Sequence, residues 1–103
     1  MLYLNIQNET SRLRTVVLGT AFHNGPIPTI EECYDPKSKI HVIAGTYPKE
    51  QDMIFEMQSV ARVFDKYGIK VFRPKVIENY NQIFSRDIGF VIEDKFITAN
   101  ILP

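Results

Sequence analysis

The stretch "KEQDMIFEMQSVARVFDKYG" (49–68) constrains this chain more than any other. Met53, Met57, Val60, Phe64 and Tyr67 recur at alternating spacings of four and three, with Ala61 widening the stripe. That spacing marks one face of an α-helix. Glu56, Ser59, Arg62, Asp65 and Lys66 fall away from it. Pro48 suits a helix start, Glu50 and Asp52 suit its positive end, and Gly68 suits a left-handed stop. A stripe bearing methionines can serve as a partner groove, but core packing is the better reading. Ile54 and Phe55 lie off the stripe, so a second surface of the helix is expected to be covered.

Around this helix the chain reads as strands. "LRTVVLGTAF" (13–22) is rich in β-branched and apolar residues and predicts a strand, with "LYLNI" (2–6) a shorter one before it. Gly19 interrupts the run near its end and predicts a bulge or a close backbone approach. "IKVFRP" (69–74) predicts a strand that Pro74 stops. "IGFVIEDKFITANI" (88–101) predicts two strands around Glu93-Asp94-Lys95, a turn without the Gly or Asn that a tight primed hairpin prefers. Residues 23–48, punctuated by Gly25, Pro26, Pro28, Pro36, Gly45 and Pro48, predict a long loop in which only "KIHVIAG" (39–45) reads as a strand. The order of elements is an α/β pattern.

Size and charge exclude several classes. A chain of 103 residues is one domain. Its 45% hydrophobic content rules against disorder. Lys plus Arg and Asp plus Glu both count 12, so no electrostatic footprint for nucleic acid or an anionic membrane surface exists. No apolar run has the length of a membrane span, and the opening residues lack a basic segment followed by an apolar one. The single cysteine, Cys33, forms no intramolecular disulfide, which makes a reducing cytoplasm the expected compartment.

Most candidate chemistry reads as structural. Cys33 in "TIEECYDP" is flanked by Glu31, Glu32 and Asp35, which disfavour a thiolate. His23 in "FHNGP" is a turn residue, and His41 sits on the expected strand of residues 39–45. Cys and His are too scattered for a zinc signature. Lys70, Arg73 and Lys75 read as a solvated basic edge. The exception is "NQIFSRDIGFVIEDKF" (81–96), where Arg86 and Asp87 stand at the threshold of the apolar run Ile88, Phe90, Val91 and Ile92. A strand end explains this acid blandly; a carboxylate aimed into a pocket explains it sharply.

Three stretches occur in a suggestive order: "NETSRLRTVVLG" (8–19), "EMQSVARVFDKYGIKVFRP" (56–74) and "NQIFSRDIGFVIEDKFI" (81–97). Together they resemble the start of the amidinotransferase and arginine deiminase superfamily, most closely its glycine and inosamine amidinotransferase branch. In that family a strand ending Val-x-x-Gly is followed by a helix running into Gly-x-x-Val-x-Arg-Pro. An Arg-Asp step then precedes an apolar strand and a Gly-Asp turn. This chain departs at Glu93, where the family usually has glycine, and contains nothing matching the later catalytic motifs.

The resemblance implies a pentein fold, a five-bladed α/β propeller of ββαβ-type modules. The chain would supply the first module and the start of the second, as a single incomplete domain over 1–103. It implies a parent enzyme acting on a guanidino small molecule without metal or organic cofactor, through a cysteine and a histidine absent here. It implies amidino transfer or hydrolysis by that parent and none by this chain, with Asp87 as the guanidinium-binding carboxylate. The closing "TANILP" stays apolar and reads as cut short, an exposed sheet edge expected to self-associate. A non-catalytic α/β domain that self-associates or binds a protein partner is the alternative.

Overall fold

The computed structural model describes residues 2–101. The chain is mixed α/β, with helices α1 (Pro36–Ala44) and α2 (Glu50–Lys66) and two two-stranded sheets. Strand β1 (Thr15–Val17) pairs in parallel with β2 (Lys70–Phe72), in the register Thr15↔Lys70 to Val17↔Phe72. Both helices lie in the crossover between them, as parallel pairing requires a long connection. A 3-10 turn (Ser85–Asp87) leads into the antiparallel hairpin β3 (Gly89–Ile92) and β4 (Lys95–Thr98). The described residues close no barrel.

Helix α2 ends as its sequence predicts. Gly68 adopts φ 69°, its N–H donates to Asp65 O at 3.0 Å, and Ile69 N–H donates to Phe64 O at 2.9 Å. This pair of bonds is the Schellman arrangement, which needs a left-handed residue at the position after the cap. Helix α2 packs on β2 with Met53, Ile54, Met57, Ala61 and Phe64 half-buried. Val60 and Tyr67, expected on the core face, are exposed instead, as are Phe55 and Val63. The cause is the width of the platform. Strands lie about 5 Å apart, so a two-stranded sheet covers a narrow band of helix and leaves the flanks wet.

Residues 39–45 are not a strand. They lie in α1, whose start is capped by Asp35 Oδ1 accepting from Ser38 N–H at 2.9 Å. Pro36 occupies the first turn, and Gly45 closes the helix at φ 70°. Cap, proline and glycine outweigh the β-branched residues between them. The Asp35 carboxyl lies below its ordinary range because the Ser38 hydroxyl, and then the Ser38 N–H, favours its ionised form.

The predicted strand 13–22 is shorter than expected for a definable reason. Pro74 ends β2, so after Leu18 N–H donates to Phe72 O at 2.9 Å the run loses that partner. It then bonds to another segment, Thr20 N–H donating to Gln82 O at 2.9 Å. Residues 2–6 contribute only a bridge, from Ile6 to Glu93. At the hairpin turn Glu93 stands at φ 54°, the left-handed region that favours glycine.

Little of the chain is sealed from water. Ala21 (1%), Thr20 (3%) and Cys33 (6%) are buried. The accessible surface is 8807 Å² and the radius of gyration 16.0 Å. A compact chain of this mass exposes about 5,900 Å² with a radius near 13 Å, roughly.

Phe64→Ala should lower stability by roughly 2 kcal/mol, less than a sealed phenylalanine because the ring is half-buried. Val60→Ala should stay within about 0.5 kcal/mol of the parent. Chemical denaturation of both variants checks the helical phase. Replacing Glu93 by glycine should raise the denaturation midpoint, since a non-glycine left-handed residue costs about 1 kcal/mol; a lowered midpoint would contradict the turn geometry.

Candidate functional site

The parallel pair points both of its carboxyl ends the same way, and the loops leaving those ends meet. Ligands in open α/β sheets bind outside this edge. The loop after β1 reaches Gly19, where an added Cβ would collide with the carbonyl oxygens of Gln82 and Ile83. Gly19 is thus a close backbone approach, one of the two outcomes its position predicted. The crossing segment is further fastened by Ser85 Oγ–H donating to Val17 O at 2.8 Å. Gln82 holds the loop after β2 with its amide: Oε1 accepts from Ile77 N–H, and Nε2 donates to Lys75 O, each at 2.8 Å.

Asp87 follows this fastening. It closes the 3-10 turn, its N–H donating to Phe84 O at 3.1 Å, rather than opening a strand. Arg86 Nε lies 3.4 Å from Asp87 Oδ1, and the Arg86 guanidinium sits 5.5 Å from the centre of the Phe84 ring. The two side chains are 82% and 63% exposed, so the pair is a weak surface contact. The Asp87 carboxylate is open to a further donor. It lines neither of the two clefts described next.

Those clefts were not legible in the sequence. The first, about 460 Å³, is framed by His23, Gly25, Ile27, Lys49, Glu50 and Asn79. Its floor is built from left-handed residues: His23 at φ 58°, Asn79 at φ 57° and Gly25 at φ 100°. Asn79 N–H donates to His23 O at 2.8 Å, and Gly25 N–H donates to Glu50 Oε1 at 3.3 Å. The only sequence signal was the turn chemistry of "HNG" (23–25) and "NYN" (79–81). The second cleft, about 380 Å³, contains Cys33 with Glu32, Asp35 and Tyr47, and no Lys, Arg or His.

The remaining candidates separate. His41 lies on α1, its Nδ1 at 2.8 Å from Thr46 Oγ1, and not on a strand. Lys70 stacks 4.9 Å over the Phe72 ring, and Lys75 is exposed. Arg73 is half-buried, its Nε without a partner among the described residues, so these three do not form one solvated edge. Among the described residues no group of three His, Cys, Asp or Glu side chains is placed to hold a metal ion, and no helix is long and apolar enough to cross a membrane. No known protein family, characterised protein or solved structure matches this chain.

Gly19→Ala should destabilise the crossing by roughly 1–3 kcal/mol, because backbone carbonyls must move to admit the methyl group. Hydrogen exchange should show faster exchange at Thr20 N–H than at the α2 amides. Equal protection in variant and parent would remove the crossing from its fastening role.

Proposed function

We propose that this chain is the N-terminal portion of an amidinotransferase-like, cytoplasmic enzyme that acts on a guanidino compound, and that it is inactive by itself. The observation that carries this reading is the position of Asp87. Through Ser85 it is tied to the carboxyl end of the parallel pair, with its carboxylate open to solvent. A carboxylate there can accept parallel N–H bonds from a planar guanidinium. Two further features support the reading. The motifs that carry the resemblance fall on matching elements: β1 before Gly19, α2 into Gly68, and β2 into Arg73-Pro74. The backbone at Glu93 takes a conformation suited to the glycine that the resembled family has there.

Under this proposal Asp87 binds and orients the guanidinium, and a cysteine and a histidine from a later part of the parent perform the chemistry. The cysteine attacks the guanidinium carbon, and the amidino group then passes to an amine or to water. The first blade and the start of the second, within a pentein propeller, are the place proposed for residues 1–103. The exposed flanks of α2 and both faces of the hairpin would then be packed by following modules.

A second reading is favoured by one observation, the 8807 Å² of accessible surface. A small non-catalytic α/β domain that exposes this much surface, with Phe55, Phe90 and Ile97 among the open side chains, would function by association with a protein.

The purified chain should produce no citrulline, ornithine or guanidinoacetate above buffer, since it lacks the Cys/His pair. In the parent, whose reading frame should continue past Pro103 to a late His and Cys, Asp87→Asn should lower kcat/KM at least roughly tenfold with an unchanged melting temperature. Steady-state kinetics beside thermal melts make the test. A stop codon after Pro103, or an Asn variant with full activity, would defeat the enzyme reading.

A further inference from the structure

The second cleft gathers carboxylate and amide oxygens and no cation. Glu32 Oε2 accepts from Thr29 N–H at 2.7 Å, and Asp35 Oδ1 accepts from Ser38 N–H at 2.9 Å. These backbone bonds hold both carboxylates at the cleft without neutralising them. Neither makes an ion pair among the described residues. Asn24 adds a third acceptor. It lines the same cleft, and its Oδ1 is buried with no hydrogen-bond partner among the described residues. A buried polar atom left unpaired costs free energy and calls for a partner of opposite role. Here that partner is a donor.

The rest of the lining narrows the class of donor. The cleft volume, about 380 Å³, falls in the range of small organic ligands, roughly 300–1,000 Å³. Among the described residues no three His, Cys, Asp or Glu side chains are placed to hold a metal ion. Tyr34 and Tyr47 bring two aromatic rings beside the carboxylates. A ring face attracts positive charge, and its apolar body covers alkyl groups. The neighbouring cleft shares Pro26 and Asn79 with this one and holds Lys49 and His23. The cations of this surface therefore lie in one cleft, and the Glu32 and Asp35 carboxylates in the other.

We propose that the second cleft is a binding site for a small primary alkylammonium ion, whose N–H groups donate to Glu32, Asp35 and Asn24 and whose alkyl chain is covered by Tyr34 and Tyr47. The ammonium supplies the donors that the three oxygens lack, and its charge balances the two unpaired acids. The site is separate from Asp87, which lines neither cleft, so it stands whether or not the enzyme reading holds.

The test is titration of the purified, isotope-labelled chain with n-butylammonium chloride, followed by backbone amide chemical shifts at constant ionic strength. Saturable shifts are expected at Asn24 and over residues 32–38, with binding in the millimolar range. 1-Butanol, which has the same chain without the charge, should give none. Glu32→Gln combined with Asp35→Asn should weaken binding by at least about tenfold. Asparagine caps a helix as well as aspartate does, so far-UV helicity should be retained in that variant. Tyr34 is 88% exposed, so Tyr34→Ala leaves the fold intact and should weaken binding by about threefold. Absence of saturable shifts, equal shifts from butanol, or an unchanged dissociation constant in the double variant each overturn the proposal.

Discussion

The tertiary arrangement depends on one crossing of backbone on backbone. Thr20 bonds to Gln82 over Gly19, and Ser85 reaches back to Val17. A β-carbon at Gly19 would occupy the space of the crossing carbonyls. Without this contact the β1–α1–α2–β2 unit and the β3–β4 hairpin would be joined through the connecting chain and the Ile6–Glu93 bridge. With it, Asp87 is brought to the carboxyl end of the parallel pair. Thr20 and Ala21, two of the most buried residues, lie at this crossing.

The energetics of the rest are unusual for the chain's size. The hydrophobic content is ordinary for a folded domain, yet among the described residues Ala21 and Cys33 are the buried hydrophobic ones. Helix α1 leaves Ile40 and Ile43 in water, and α2 leaves Phe55, Val63 and Tyr67 there. Apolar surface in water contributes nothing to folding, at roughly 25 cal/mol per Å² forgone. Both functional readings meet this constraint in the same way, by bringing protein onto the exposed faces. They differ in whether that protein is more of the same enzyme or another molecule.

Local signals that agree with one another were legible. Helix α2 carried its apolar spacing, acidic first turn and glycine stop within one stretch, and only the outer members of its stripe, Val60 and Tyr67, were misplaced. Strand β2 and both hairpin strands were readable from β-branched and apolar runs bounded by Pro74 and by the Glu93-Asp94 turn. Helix α1 was not, because Ile40, Val42 and Ile43 suggested a strand while its cap at Asp35 lay within an apparent loop. The site was legible only in part. Asp87 stood out as an acid before an apolar run, but its open position and its pairing with Arg86 did not follow from that. The first cleft joins Gly25, Glu50 and Asn79, residues far apart in the chain with no shared pattern.

The sequence by itself determined the α/β character, the extent of α2, the stop at Gly68 and the need for a close approach at Gly19. Each rests on propensity or sterics acting over a few residues. Only the tertiary structure decided which segment approaches Gly19, which flank of α2 faces the sheet, and which hairpin edge stays free. These depend on pairing between distant segments, where several partners satisfy the same local pattern and the geometry of the whole chain selects one.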